Sequence, residues 1–316
     1  MKGSRDFLES IGLPGADPAG SPASAKRFPD GGQYRIEIPS TEGPRALEQV
    51  LLEAGKRKVP VHRVSQGSGI MLMTDDEISE MVEIGRQASI EVNLFIGPRA
   101  TFDIGAQAYS PAGKTLGLGL RGADQLVYAM EDMRRAVRLG LRSVLVSDIG
   151  ILQVIARQRS IGMLPPDLII KTSVMMAPTN PASARILQTL GADTINIPSD
   201  LTIPQIAAMR AAIDVPIDFY VEAPDNIGGF VRYYEIPDLI RVAAPIYLKF
   251  GLRNAPDVYP SGSHLENTVI ALSRERVRRA EMAFEVINRF CPEAVMSPLK
   301  KRSVVSDQQS AKTGGA

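Results

Sequence analysis

The chain has 316 residues, enough for one large domain or two of average size, and its net charge of +1 offers no bulk attraction to nucleic acid or a membrane surface. An apolar share of 44% and a charged share of 22% are those of a soluble globular protein. The single cysteine, Cys291, excludes an intrachain disulfide, a cysteine-ligated zinc site and a four-cysteine iron–sulfur cluster; two histidines, His62 and His264, are too few for a multi-histidine metal site. No apolar run approaches the roughly 20 residues of a membrane span, and Asp6 and Glu9 interrupt the segment where a signal peptide would have its apolar core. The expectation is a cytoplasmic protein with a small-molecule substrate, no nucleic-acid or membrane partner, and an oligomeric state left open.

Residues 1–30, ending "GADPAGSPASAKRFPD", are rich in Gly, Pro, Ala and Ser and read as a flexible N-terminal arm. From residue 31 to 296 short strand candidates alternate with helical stretches. "YRIEIPS" leads into "RALEQVLLEAGKRK", "VPVHRVSQG" into "DEISEMVEIGRQA", "EVNLFIGPR" into "AMEDMRRAVRLG", and "IYLKFGL" into "RVRRAEMAFEVINRF"; between them lie "SVLVSD", "LIIKTSV", "TINIPSD" and "IDFYVEAP". Thr74–Glu77 and Thr202–Gln205 have capping-box spacing, and Asn180-Pro181 pairs an N-cap with a first-turn proline. The glycines of "GLR" and "GAD" stand where a helix ends before the next strand. Residues 297–316, "SPLKKRSVVSDQQSAKTGGA", read as a disordered tail whose Lys300, Lys301 and Arg302 are either a solvated end or a contact for something acidic.

Eight strand–helix units match an α/β fold of one kind, the eight-stranded parallel (β/α)8 TIM barrel, typically about 250 residues long. An open doubly wound sheet would have fewer strands and a glycine-rich turn after the first; "SQGSGIM" and "GLGLRG" lack its spacing or its preceding strand.

Alternation then divides each strand between helices and lumen. The outward sets are Ile36/Ile38, Val92/Leu94/Ile96, Ile195/Ile197, Phe219/Val221 and Leu248/Phe250. The opposite face of "IDFYVE" carries Asp218, Tyr220 and Glu222, and the inward sets include Glu37, Asn93, Lys171, Asn196, Tyr220, Glu222 and Lys249. Either parity of strands 2 and 4 mixes polar with apolar side chains. Ionisable groups in a lumen are too costly to bury unpaired, so they form either cross-lumen ion pairs or a site.

Long connections follow strands 3, 7 and 8, on the C-terminal face where barrel enzymes place their chemistry. Gly228 and Gly229 could let the strand 7 loop move. Lys171 and Lys249, each near another cation, suit Schiff-base or general-base chemistry, with Glu37 or Glu222 moving protons. These four are the candidate catalytic residues. Arg99 and Arg253 suit an anionic substrate group, with Asn93, Asn196, Ser68 and Ser173 as further substrate-binding candidates. No cofactor is evident. Glu37, Asp148 and Glu222 could present oxygens to Mg²⁺ or Mn²⁺ without any spaced motif to support it. His62, within strand 2, reads as a hydrogen-bonded structural histidine.

"YRIEIPSTEGPRALEQVLLEA", "VPVHRVSQGSGIMLMTDDEI" and "LFIGPRA" resemble uncharacterised bacterial barrel proteins of peptidase family U32, a likeness extending over about residues 33–290. The resemblance implies a barrel and a peptidase or hydrolase activity. Better-understood members carry a cysteine-ligated iron–sulfur cluster and a cysteine-containing signature. This chain, with Cys291 alone, has neither, so no catalytic residue is carried over. The residues themselves favour an enzyme acting on a small polar, anionic carbonyl compound by Lys/Glu acid–base or Schiff-base chemistry, of lyase or isomerase type. A U32-like hydrolase of amide or peptide bonds and a non-catalytic ligand- or partner-binding barrel are the alternatives.

Overall fold

The computed structural model describes residues 2–97 and 118–299; Arg99, most of the connection after strand 3 and the tail from Lys300 lie outside the described residues. Helix α1 (Lys2–Ser10) precedes a repeating order of strand and helix. β1 (Tyr34–Pro39), α2 (Pro44–Arg57), β2 (Arg63–Ser65), α3 (Asp75–Ala88), β3 (Glu91–Phe95) and α4 (Gly122–Arg138) are followed by β4 (Ser143–Val146), α5 (Ile149–Ser160), β5 (Ile169–Thr172) and α6 (Pro181–Thr189). β6 (Thr194–Asn196), α7 (Ile203–Ala212), β7 (Ile217–Glu222), α8 (Ile236–Ala243), β8 (Ile246–Phe250) and α9 (Glu266–Phe290) complete the chain. The strands pair in parallel in sequence order and β8 closes on β1, so this is the expected (β/α)8 TIM barrel.

The helices start where the capping residues stand. Thr74 and Thr202 form reciprocal capping boxes with Glu77 and Gln205, and Asn180 accepts from Ser183 N with Pro181 in the first turn. Gly140 and Gly191, just past α4 and α6, have φ of +100° and +105°, a left-handed turn that side chains with a Cβ rarely adopt.

One face of every strand packs on the helices. Ile36, Ile38, Val64, Val92, Leu94, Val144, Ile170, Ile195, Phe219 and Leu248 join Leu47, Ile78, Met133, Ile155, Leu239 and Val277 in a single core between sheet and helix ring. Each such aliphatic or aromatic side chain contributes ~1.5–3 kcal/mol on burial, so this layer, not the lumen, carries most of the hydrophobic stabilisation. Packing also resolves strands 2 and 4: Val64, Val144 and Val146 face the helices, which turns Arg63, Ser65, Ser143 and Leu145 inward.

The N-terminal end of the barrel is covered by chain expected to be mobile. Phe28 is buried with its ring edge-on to Tyr247 at 5.3 Å, and the Arg35 guanidinium lies 4.0 Å from the Phe28 ring centre. Ser24 N donates to Arg241 O at 2.8 Å, and Lys26 pairs with Asp214 at 2.7 Å. Ser297, expected to open the tail, is fully buried; its hydroxyl bonds Asp30 and Arg35, and Met296 bridges Tyr34. Composition alone hides this, because Gly/Pro/Ala/Ser-rich chain packs as readily as it wanders once a few anchors such as Phe28 meet a surface.

His62, just before β2, is held as a structural histidine. Its Nδ1 accepts from Ile36 N at 3.1 Å, leaving Nε2–H to donate to Ser297 O at 2.8 Å. Burial lowers its pKa to about 4 against the partial support of the Ser297 carbonyl. The neutral ring therefore stabilises the fold fully above the unfolded value near 6.5, and that contribution is lost as pH falls from there toward 4, about 3 kcal/mol in all. Urea midpoints at pH 7 and pH 4.5 should differ by clearly less in His62→Gln than in the parent chain; an equal difference would show that His62 is not the titrating group.

Candidate active site

The lumen is filled by ions rather than by the branched aliphatic layers common in such barrels. Glu37 of β1 is its centre. Lys171 of β5 donates to both Glu37 carboxylate oxygens, the Ser65 hydroxyl donates to one of them, Arg63 Nη1 lies 3.3 Å from the other, and Lys249 Nζ is 3.4 Å away. Arg63 spans two strands, bonding Glu91 at 2.8 Å and Asp218 at 2.8 Å, with its guanidinium 3.6 Å from the centre of the Tyr247 ring. Asp218 also accepts from Thr194 at 2.7 Å. Three cations (Arg63, Lys171, Lys249) thus face three carboxylates (Glu37, Glu91, Asp218), which is what allows so many charges to be buried together. Burial raises the Glu37 pKa, yet Lys171, Lys249 and Arg63 outweigh it and hold the carboxyl well below the usual range. Burial lowers Lys171 to about 8 against the support of Asp218 and Glu37.

The upper end of this network opens at the C-terminal face into a narrow cavity of about 60 Å³. Its wall includes Ser40, Ser65, Gln66, Ser173, Asn196, Tyr220, Lys249 and Tyr259. Lys249 is the lysine that reaches it: Nζ sits 4.1 Å from the centre of the Tyr220 ring and donates to the Asn196 side-chain oxygen at 2.7 Å, with the amide oriented so that its nitrogen donates to Asp218 O at 3.1 Å. Lys171, one layer deeper, is fully buried and does not line the cavity. A larger cavity of about 660 Å³ lies at the opposite, N-terminal end beneath α3 and α4, away from the face where barrel chemistry is placed.

The remaining candidates separate. Asn93 and Glu37 point inward as expected, but Asn93 is spent on Ser143 at 2.7 Å, and its Oδ1 is buried without a hydrogen-bond partner. Ser173 lines the cavity and accepts from Met175 N at 3.2 Å; Ser68 lies aside, bonded to Glu42 and to Ser261 N. Arg253 is 63% exposed and 3.6 Å from Asp225. Arg99 is outside the described residues.

Glu222 is not where strand parity put it. The ladder shifts register between Tyr220 and Glu222, so Glu222 pairs with the outward-facing Phe250. Its carboxylate accepts from Tyr233 at 2.9 Å and Arg253 N at 3.0 Å, and meets Arg279 of α9 at 3.3 Å. One irregularity in the ladder reverses the side a residue faces, and nothing in "YVEAP" announces it. Lys249 therefore has Glu37, not Glu222, as its near carboxylate. The three carboxylates considered for a metal do not converge either: Glu37 is enclosed by cations, Glu222 faces α9, and Asp148 caps α5 through Ile151 N at 2.9 Å. Among the described residues no three His, Cys, Asp or Glu side chains gather as a metal would require.

Arg63 and Glu91 escaped the inward sets read from sequence, and Asp218, although on the inward face of "IDFYVE", was not among the candidate residues. Asp218 had a signal in the alternation of "DFYVE"; Arg63 had none, because strand 2 is only three residues long and either parity looked mixed.

The model of peptidase family U32 matches residues 120–223, about a third of the chain, from α4 to the end of β7. No curated protein matches the sequence. Among solved structures, the U32 peptidase Mk0906 is 16% identical with a TM-score of 0.43, covering 76% of this chain and 99% of that one. A putative lyase/mutase from Burkholderia cenocepacia J2315 is 12% identical at a TM-score of 0.44, covering 75% and 79%. 2,3-Dimethylmalate lyase is 11% identical at 0.44, covering 87% and 88%. At such identities the likeness lies in the barrel alone. No helix among the described residues is long and apolar enough to cross a membrane. The matched span includes Lys171, Asn196, Asp218 and Tyr220 but neither Glu37 nor Lys249, and over it the chain is similar to peptidase family U32, the family its strands resemble.

Proposed function

We propose that the protein is an enzyme of lyase or isomerase type that acts on a small, anionic carbonyl compound at the C-terminal mouth, with Lys249 as the group that engages the carbonyl. The observation that carries this reading is the position of Lys249: a nearly buried amine on the cavity wall, next to a carboxylate already held by two other cations. Such an amine keeps access to substrate while sharing its counter-charge with Lys171 and Arg63. Glu37 holds the lysine in place and balances the cationic nitrogen that forms on attack. Tyr220 and Asn196 orient the ammonium from the side. The cavity's size favours a ligand of a few heavy atoms, and the hydroxyl and amide groups on its wall, beside Leu145, Val174, Met175 and Ile227, suit one with polar and apolar parts.

Borohydride added together with small 2-oxo acids such as glyoxylate or pyruvate should trap a reduced adduct that peptide mapping places on Lys249, not Lys171. Lys249→Met should form none while melting as cooperatively as the parent chain, since it replaces a charge by an apolar side chain of similar length. Adduct formation that survives in Lys249→Met would overturn the assignment.

The family match favours a second reading, hydrolysis of an amide or peptide bond. In that case Lys249 would act on a bound water or on the substrate carbonyl oxygen. No adduct would form with oxo acids, yet amide substrates would turn over and Lys249→Met would abolish that turnover.

A further inference from the structure

Against Ser40 of the cavity wall lies a cation that the lumen network does not use. Arg276, on α9, is 4% exposed. Its Nη1 donates to Ser40 O at 3.3 Å, its Nε is buried without a hydrogen-bond partner, and among the described residues it forms no ion pair. Taking a guanidinium out of water costs several kcal/mol unless something negative offsets it. Burial lowers its pKa, and the groups that oppose this are Tyr259, Glu42 and Tyr220. Glu42 is already held by Gly67 N at 2.7 Å, by Ser68 N at 3.1 Å and by the Ser68 hydroxyl. Tyr259 and Tyr220 are both on the cavity wall.

Two further features converge on this spot. Ser40, at the end of β1, has φ of +56°, a left-handed conformation that costs a non-glycine residue of order 1 kcal/mol or more and persists only where its surroundings impose it. Arg276 holds the carbonyl of this residue. The conformation turns the Ser40 hydroxyl onto the Tyr259 hydroxyl, with which it shares a short hydrogen bond. Both hydroxyls line the cavity that Lys249 enters.

We propose that Tyr259 is a second substrate-contacting group of this site, passing a proton to and from the reacting oxygen in concert with Ser40, and that Arg276 is the positioning residue that holds the pair and balances the phenolate. This rests on the reading of Lys249 as the carbonyl-engaging amine. When Lys249 Nζ bonds to the carbonyl carbon, the π pair of the C=O bond moves to oxygen, and that oxygen takes the Tyr259 proton. The phenolate left beside Arg276 then recovers a proton from the nitrogen, which attack has made cationic. Lys249, an ammonium beside Glu37, must first release one proton to solvent through the cavity mouth, and with that proton counted the step balances without any further reactant. Among the described residues, Asp257 accepts from Tyr259 N at 3.1 Å and works against the phenolate, and Glu42 lies near Arg276. Asp257 is exposed and screened by solvent, whereas Arg276 is buried and bonded to Ser40, the hydroxyl partner of Tyr259.

The test needs no substrate. Phenolate absorbance followed through an alkaline titration should show one tyrosine ionising ahead of the others: burial pushes Tyr34 up to about 12 and pushes Tyr233 and Tyr247 up as well, and subtracting the Tyr259→Phe curve removes the exposed Tyr128 and Tyr234. That first phenol should be missing from Tyr259→Phe. It should ionise about one pH unit or more higher in Arg276→Met and return toward the parent value in Arg276→Lys. Ser40→Ala, which leaves Arg276 and its charge in place, should shift it in the same direction and covers the case in which Arg276→Met fails to fold. Trapping of the Lys249 adduct should slow by about 10²-fold or more in Tyr259→Phe at an unchanged melting temperature. A first phenol that persists in Tyr259→Phe, or does not move in Arg276→Met and Ser40→Ala, overturns the proposal. A normal titration result with no adduct on Lys249 would instead reject the carbonyl reading and leave Tyr259 as the acid–base group of a different reaction.

Discussion

Replacing Glu37 by alanine is expected to cost on the order of 3–5 kcal/mol of stability, the range seen when one member of a buried ion cluster is removed and its partners are left behind. Lys171 and Arg63 are fully buried and Lys249 nearly so; all three lie within 4 Å of this one carboxylate. Without it, three cations face only Asp218 and Glu91, and of the three only Lys249 reaches the cavity. Against a typical total of ~5–15 kcal/mol, that loss takes away a large fraction of the folded-state stability. Lys249→Met should cost much less, because it removes a charge together with its own desolvation penalty and leaves Lys171 and Arg63 on Glu37. Equilibrium urea unfolding of the two variants gives the comparison. A Glu37→Ala chain within about 1 kcal/mol of the parent would mean that the lumen charges are solvated, and the cluster would lose its structural role.

Acid should act on the same cluster with a defined sign. The folded Glu37 pKa lies below its unfolded value, so its stabilising contribution is present above the ordinary carboxylate range and is lost as pH falls through it toward the depressed value.

The second large effect concerns the chain beneath the barrel. A protein starting at residue 32 should lose on the order of 3–5 kcal/mol, the cost typical of removing a buried phenylalanine from a packed site, and its melting temperature should fall by roughly 10 °C. Phe28 is 4% exposed, and it stacks against both Tyr247 and Arg35. Tyr247 in turn lies on Arg63, so the loss would uncover the lower end of the ion cluster as well as apolar surface. Phe28→Ala in the full chain separates packing from the loss of the Ser24 and Lys26 contacts: most of the deficit should appear in this one substitution. A truncated chain that melts within about 2 °C of the parent would restore the picture of a dispensable arm.

What the sequence determines by itself is the repeating unit. Capping boxes at Thr74 and Thr202, the proline after Asn180, and glycines 140 and 191 punctuate the chain through local backbone chemistry, which needs no partner from elsewhere. Alternation in β1, β3, β6 and β8 is equally local, so the inward positions of Glu37, Asn93, Asn196 and Lys249 follow from the period of a strand. Eight such units leave few architectures other than a closed barrel. What only the tertiary structure decides is which side chains meet. The side that Arg63 faces depends on packing of the short β2 against α2 and α3. Glu222 is turned outward by a register shift that exists only because β7 and β8 pair. Phe28 becomes an anchor only when Tyr247 and Arg35 are beneath it. The pairing of Lys171 with Glu37, which are 134 residues apart in sequence, arises from closure of the barrel. Such contacts are long-range and cooperative; they are set by the whole ring of strands at once, and no stretch of chain short enough to have a period of its own can record them.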